Sequence, residues 1–220
     1  MWVEEPVSGD RGTCLTSESI VRLPTQHSSE SVHYFHTFYD FMPDVNVAHG
    51  PLREELLDIL RFWLRQGVQG FRLDALPFLL KDRAQGEHLG APHDFLKAMR
   101  RVVAEHVPDG VLLAEVNKPL AETVRYFGQG DEVNLMLNFS LCSHMFLALA
   151  TGEARHIQDW WRALPPVPPA ANWANFVRNH DELALAELTA EEQAQVYRRS
   201  DPGRNTGGPT AAFAVAWHRW

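Results

Sequence analysis

The sequence predicts an α/β fold: a parallel sheet covered by helices, either an open doubly wound sheet or a (β/α)₈ barrel. Three observations carry this. Stretches with apolar residues at helical spacing alternate with short apolar runs. The short runs are bounded by glycine and proline, as buried strands are. The 220 residues are 45% apolar and 22% charged, enough for one sizeable core and unlike a disordered or fibrous chain.

Residues 1 to 40 lack steady periodicity and are rich in Ser, Thr, Glu and His, with one aromatic cluster, "VHYFHTFYDF". They read as the end of a loop-rich subdomain with few strands. From Pro51, Leu52, Leu56, Ile59, Leu60, Trp63 and Leu64 recur at helical spacing; Pro51 suits the first turn and Gly67 the stop. A buried strand follows from Gly70 to Asp74. "PHDFLKAMRRVVAEHV" opens with Pro92 and lines up Phe95, Met99, Val102 and Val103, and "VLLAE", Val111 to Glu115, is the next strand. Shorter helices are expected near 120 to 127, 141 to 150 and 154 to 164, with strands at Val133 to Leu137 and Trp173 to Val177. Thr189 and Glu192 fit a capping box opening a further helix. The proline-rich "LPPVPPAA" reads as a loop within one domain, and residues 201 to 220 as an irregular tail.

Twenty Lys and Arg against 28 Asp and Glu give a net charge of -8, with no basic stripe of the kind that neutralises phosphates. Nucleic acid is therefore not an expected partner. Cys14 and Cys142 form neither a disulfide framework nor a zinc motif and read as two free thiols. No basic, apolar leader opens the chain and no run reaches membrane-spanning length, so a cytoplasmic protein without membrane partners is expected.

In the strand at 70 to 74, alternation puts Phe71 and Leu73 on one side and Arg72 and Asp74 on the other. With helices outside, the apolar pair meets the helices. Arg72 and Asp74 then turn inward at the carboxyl end of the strand, where active sites sit in barrels and open α/β sheets. An arginine beside a partly buried aspartate favours the ionised form that a nucleophile needs. A buried Arg–Asp pair that only fixes the core is the competing reading.

Glu115 ends the next strand in the same way. Neighbouring parallel strands lie ~4.8 Å apart, so the two carboxylates can approach the ~5 to 5.5 Å separation of a retaining glycosidase pair. Glu115 has no cation in its own strand and follows an apolar run, so burial is expected to raise its pKa toward a proton-donor role. A solvated strand-end glutamate is the alternative. The loop "FVRNHDE", Phe176 to Glu182, is dense enough in polar groups to hydrogen-bond several hydroxyls of one sugar ring. It would serve equally as a helix-capping loop, and His180 with Asp181 would suit a metal, although no second histidine cluster ends another strand.

"GFRLDALPFL", "LLAEVNKP" and "FVRNHDE", in this order and each after a strand candidate, resemble the α-amylase family of glycoside hydrolases and transglycosylases, in particular the branch with trehalose synthase and related α-glucosidases. The resemblance covers roughly residues 30 to 195. It implies a (β/α)₈ barrel acting on α-glucosidic bonds with retention. It also implies Asp74 as nucleophile, Glu115 as general acid/base and Asp181 as the carboxylate that binds sugar hydroxyls and supports the transition state. Arg72 would orient Asp74, and His180 and Asn179 would bind the sugar. "MPDVN", Met42 to Asn46, resembles the family's "QPDLN"; Met42 and Val45 are the departures, and they bear on substrate.

The family's Asp-Asn-His motif, whose asparagine often binds calcium, is not found before residue 40, so no metal or cofactor is expected. On this resemblance 1 to 40 end an inserted subdomain, 41 to 200 form an incomplete barrel with about strands four to seven, and open strand edges would favour self-association. Two functions follow as expectations. One is hydrolysis or glucosyl transfer on maltose or short α-glucans through a covalent intermediate. The other is a truncated, non-catalytic remnant binding glucan or a partner weakly.

Overall fold

The computed structural model describes residues 21–23, 32–34, 36–39, 41–80, 91–179, 185 and 187–200. Near the start, β1 (Val21–Leu23) and β2 (Val32–Tyr34) pair antiparallel, with Val21 opposite Tyr34. Helix α1 (Gly50–Arg65) follows, with Pro51 in its first turn and Leu57, Leu60 and Leu64 buried along one face. It stops at Gly67, whose φ of 93° closes the turn through a 2.9 Å bond from its amide to the Leu64 carbonyl.

The main sheet holds β3 (Gly70–Leu73), β4 (Val111–Ala114), β5 (Leu135–Leu137) and β6 (Asn172–Ala174), all parallel and in sequence order. An open doubly wound sheet reverses its strand order at a switch point. Four strands in unbroken order follow the barrel arrangement instead. Register starts with Gly70 opposite Val111, where a Cβ would lie 2.6 Å from the Val111 carbonyl oxygen, so only glycine allows this approach.

Helix α2 (Leu76–Leu79) and helix α3 (Ala91–His106) lie between β3 and β4; α4 (Leu120–Thr123) and a 3₁₀ turn at Val124–Phe127 lie between β4 and β5. Helices α5 (Phe139–Thr151) and α6 (Arg155–Ala163) precede β6, and α7 (Ala190–Ser200) follows it. Phe95, Leu96, Met99, Val102 and Val103 of α3 share a core with Leu73, Leu112, Ala114 and Met136 of the strands. Helix α1 packs on α3, where the Arg53 guanidinium sits 5.5 Å from the centre of the Phe95 ring. A second cluster, Leu147, Leu185, Leu188 and Val196, ties α5 to α7. The capping box is present: Thr189 N–H meets Glu192 Oε2 at 2.9 Å and Glu192 N–H meets Thr189 Oγ1 at 3.3 Å.

Several boundaries differ from expectation. The strands at Gly70 and Val111 end one residue early, leaving Asp74 and Glu115 just beyond them. The last strand lies at Asn172–Ala174 rather than Trp173 to Val177, and α5 starts at Phe139 because the Asn138 side chain caps it, accepting the Leu141 amide at 3.0 Å. The short helix α2 was not anticipated. Residues 201 to 220 lie outside the described residues, and among the described ones no helix is long and apolar enough to cross a membrane.

Candidate active site

The alternation of β3 and its register with β4 determine what meets at the carboxyl ends. Leu73 is buried in the core while Arg72 and Asp74 lie on the opposite face, as the strand pattern requires. Leu73 pairs with Ala114, so the residues just beyond, Asp74 and Glu115, end adjacent strands at the same level. One amino nitrogen of Arg72 contacts Asp74 Oδ1 at 2.7 Å, and its other amino nitrogen donates to Glu115 Oε2. A single guanidinium therefore joins both carboxylates. Their surroundings differ: the Asp74 side chain is 72% exposed and that of Glu115 only 16%.

The strand of Glu115 carries no cation of its own, and Arg72 reaches across to it from the neighbouring strand. Reading each strand by itself could not reveal the partner; the register supplies it.

The "MPDVN" segment pins the chain that leads into α1. Asp44 accepts from the Thr37 amide at 3.1 Å and from the Thr37 hydroxyl at 2.5 Å, Asn46 Oδ1 accepts from the Ala48 amide at 3.0 Å, and Val47 is buried. Asp44 thereby holds the aromatic segment next to Thr37. Phe38 meets Phe78 of α2 edge-to-face at 5.2 Å, and Tyr39 stacks on Phe41 at 5.3 Å; all four rings are exposed. Phe78 lies four residues beyond Asp74 in the chain. The cluster was visible in the sequence, but its meeting with Phe78 was not, since forty residues separate the two rings.

The residues directly after β5 and β6 are Asn138 and Asn175, whose side chains are amides. Asn138, 1% exposed, gives its side-chain amide to Asn175 Oδ1 at 2.8 Å and its backbone amide to the Ala174 carbonyl at 3.0 Å. Asn179 is half-buried in the loop after β6. His180 and Asp181 lie outside the described residues.

Two further groups are structural. Cys142 is buried, its Sγ donates to the Val177 carbonyl at 3.2 Å, and burial pushes its pKa up to about 11, against the opposing pull of Arg178. It stays a thiol near neutral pH and is no nucleophile. His93 meets the buried Glu132 at 2.5 Å, and Lys97 pairs with Asp131 at 3.2 Å. The Gln129 amide, ahead of Lys97, holds the Asp131 carboxyl below its usual range. These contacts bind α3 to the turn before β5. Among the described residues no group of three or more His, Cys, Asp or Glu could hold a metal ion.

Residues 5–201 match the family model described as the alpha amylase catalytic domain. The chain is 40% identical over 169 residues to the trehalose synthase/amylase TreS of Mycolicibacterium smegmatis, covering 74% of this chain and 28% of that protein. It is 36% identical over 202 residues to the TreS of Mycobacterium tuberculosis, covering 87% and 34%. It is also 28% identical over 158 residues to the glucosylglycerate phosphorylase of Escherichia coli, covering 71% and 28%. Among solved structures, the alpha-amylase from H. orenii aligns with a TM-score of 0.53 at 20% identity, over 84% of this chain and 38% of that one, which speaks for the fold. The chain spans 28% to 34% of the length of these curated relatives.

Proposed function

The chain belongs to the α-amylase family, and from that premise we propose that it cleaves α-glucosidic bonds with retention of configuration, acting on maltose or short α-glucans. Asp74 attacks the anomeric carbon from the face opposite the leaving oxygen. The bond from that carbon to the leaving oxygen breaks, and Glu115 gives its proton to the departing oxygen. In the second step Glu115 takes the proton of an incoming water or sugar hydroxyl. The oxygen of that group attacks the anomeric carbon, and the ester to Asp74 breaks.

The observation that carries this reading is the single Arg72 guanidinium contacting both carboxylates. Before reaction Asp74 is charged and Glu115 protonated. In the covalent intermediate Asp74 is an ester and Glu115 is charged. The pair carries one negative charge in each state, and one cation touching both carboxylates balances it throughout, without reorganisation between the steps. The greater exposure of Asp74 suits a group that must reach the sugar, and the shelter of Glu115 suits a proton donor.

Phe38 and Phe78 suit the other need of such a site, an apolar face for a pyranose ring. Asn179, His180 and Asp181 would hydrogen-bond the sugar, Asp181 also supporting the transition state. The likeness to trehalose synthases favours maltose and its isomerisation to trehalose among the reactions open to this chemistry.

The test is product analysis of the purified chain on maltose, next to its Asp74→Asn variant. The reading expects glucose or trehalose from the first and neither from the second. Absence of product from the unaltered chain, or equal product from the variant, overturns it.

A further inference from the structure

Among the described residues Ala75 alone, other than glycine, has a positive φ, with φ 45° and ψ 43°, a left-handed conformation that residues with a Cβ seldom adopt. It directly follows Asp74. What this conformation accomplishes is visible in the ladder between β3 and β4. In regular parallel pairing, a residue that gives its N–H to one carbonyl accepts at its own carbonyl from the N–H two residues further along the neighbouring strand. Glu115 gives its N–H to the Leu73 carbonyl at 3.1 Å, so its carbonyl would be met by the amide of Ala75. It is met instead by the amide of Leu76, at 3.1 Å. The left-handed residue inserts one position, a bulge at the point where pairing ends.

Both sides of this bulge are fixed. Leu76 is fully buried, and the Ala75 carbonyl accepts from the Phe78 amide at 2.9 Å. The backbone of Glu115 is thus clasped at its N–H by the last residue of β3 and at its carbonyl by the turn that carries Asp74. We infer that Ala75 is a positioning residue: its left-handed backbone hooks Leu76 onto Glu115 and so sets the separation of the Asp74 and Glu115 carboxylates. This rests on the reading of those two residues as nucleophile and acid/base. Retaining chemistry needs that separation held closely.

Val and Asn are similar in size, but Asn tolerates the left-handed region and β-branched Val does not. Ala75→Val is expected to lower kcat on maltose by about 10²-fold with KM little changed, and to speed hydrogen exchange at the Leu76 amide. Ala75→Asn and Ala75→Gly are expected to keep kcat within about tenfold, short of the ~10²-fold that a 1 Å misplacement costs, and to keep Leu76 protected. If Ala75→Asn loses as much activity as Ala75→Val, size rather than backbone conformation matters and the inference falls. It falls equally if Ala75→Val retains kcat or Leu76 protection. Should Ala75→Val fail to fold, Asn and Gly decide: retained kcat and protection support the clasp, and loss in both overturns it. An unaltered chain inert toward maltose overturns the reading of the site and the positioning role with it, whereas an active chain whose Leu76 protection is indifferent to Ala75→Val overturns the positioning role alone.

Discussion

The two halves of the sheet end differently. Where β3 and β4 finish, the groups are charged, one of the two carboxylates stands mostly in solvent, and the backbone departs from regular pairing at Ala75. Where β5 and β6 finish, Asn138 is almost fully buried, and its side-chain oxygen, side-chain amide and backbone amide each have a partner. A buried amide with partners at its side-chain oxygen, its side-chain nitrogen and its backbone N–H holds α5 and β6 in place. A carboxylate held at one oxygen and otherwise exposed keeps its capacity to react. The comparison shows how to tell chemistry from scaffolding among polar strand ends: ask which lone pairs and protons remain uncommitted.

Substitutions that break this contrast should rank accordingly. At the charged end, Asp74→Asn is expected to remove activity by about 10⁴-fold or more, as loss of a nucleophile does, and Glu115→Gln by about 10² to 10⁴-fold; steady-state kinetics on maltose, with circular dichroism to show retained fold, checks both. Arg72→Lys keeps a positive charge but cannot contact two carboxylates in one plane, and kcat should fall by about 10²-fold. At the neutral end, Asn138→Ala leaves the Leu141 amide uncapped and Asn175 without its partner; denaturant unfolding should show a loss of about 1 to 3 kcal/mol.

The smallest effect belongs to the network behind β5. The Ser140 hydroxyl donates to Glu187 at 3.2 Å and accepts from the Trp160 indole at 3.0 Å. Burial raises the pKa of Glu187, only partly opposed by Ser140 and His144. A carboxyl whose folded pKa lies above its unfolded one destabilises as pH rises from the ordinary carboxylate range through the raised value, and the deficit is constant beyond. Glu187→Gln should therefore raise the thermal midpoint slightly near neutral pH, with the difference vanishing in acid below the usual carboxylate range.

The alternation of helices and strands was legible because apolar spacing follows burial, and α1, α3 and the strands at Gly70 and Val111 appear where the pattern put them. Arg72 and Asp74 on one face followed from the two-residue period of a strand. What could not be read was whatever depends on contacts between strands or distant segments. The Arg72 contact to Glu115 needs the register of β3 against β4, and the Phe38–Phe78 pair needs the fold of the segment before α1. The left-handed backbone at Ala75 carries no glycine or asparagine to announce it. Asn138 drew no notice in the sequence because an asparagine before an apolar run is an ordinary cap, and its bond to Asn175 is a long-range one.

Covalent trapping tests the central claim most directly. The chain is incubated with a fluorinated α-glucosyl fluoride, whose ester intermediate hydrolyses slowly, and its intact mass and peptides are measured. The account predicts one fluoroglucosyl unit per chain, on the peptide carrying Asp74 and absent from Asp74→Asn. No adduct, or an adduct that persists in Asp74→Asn, would contradict it.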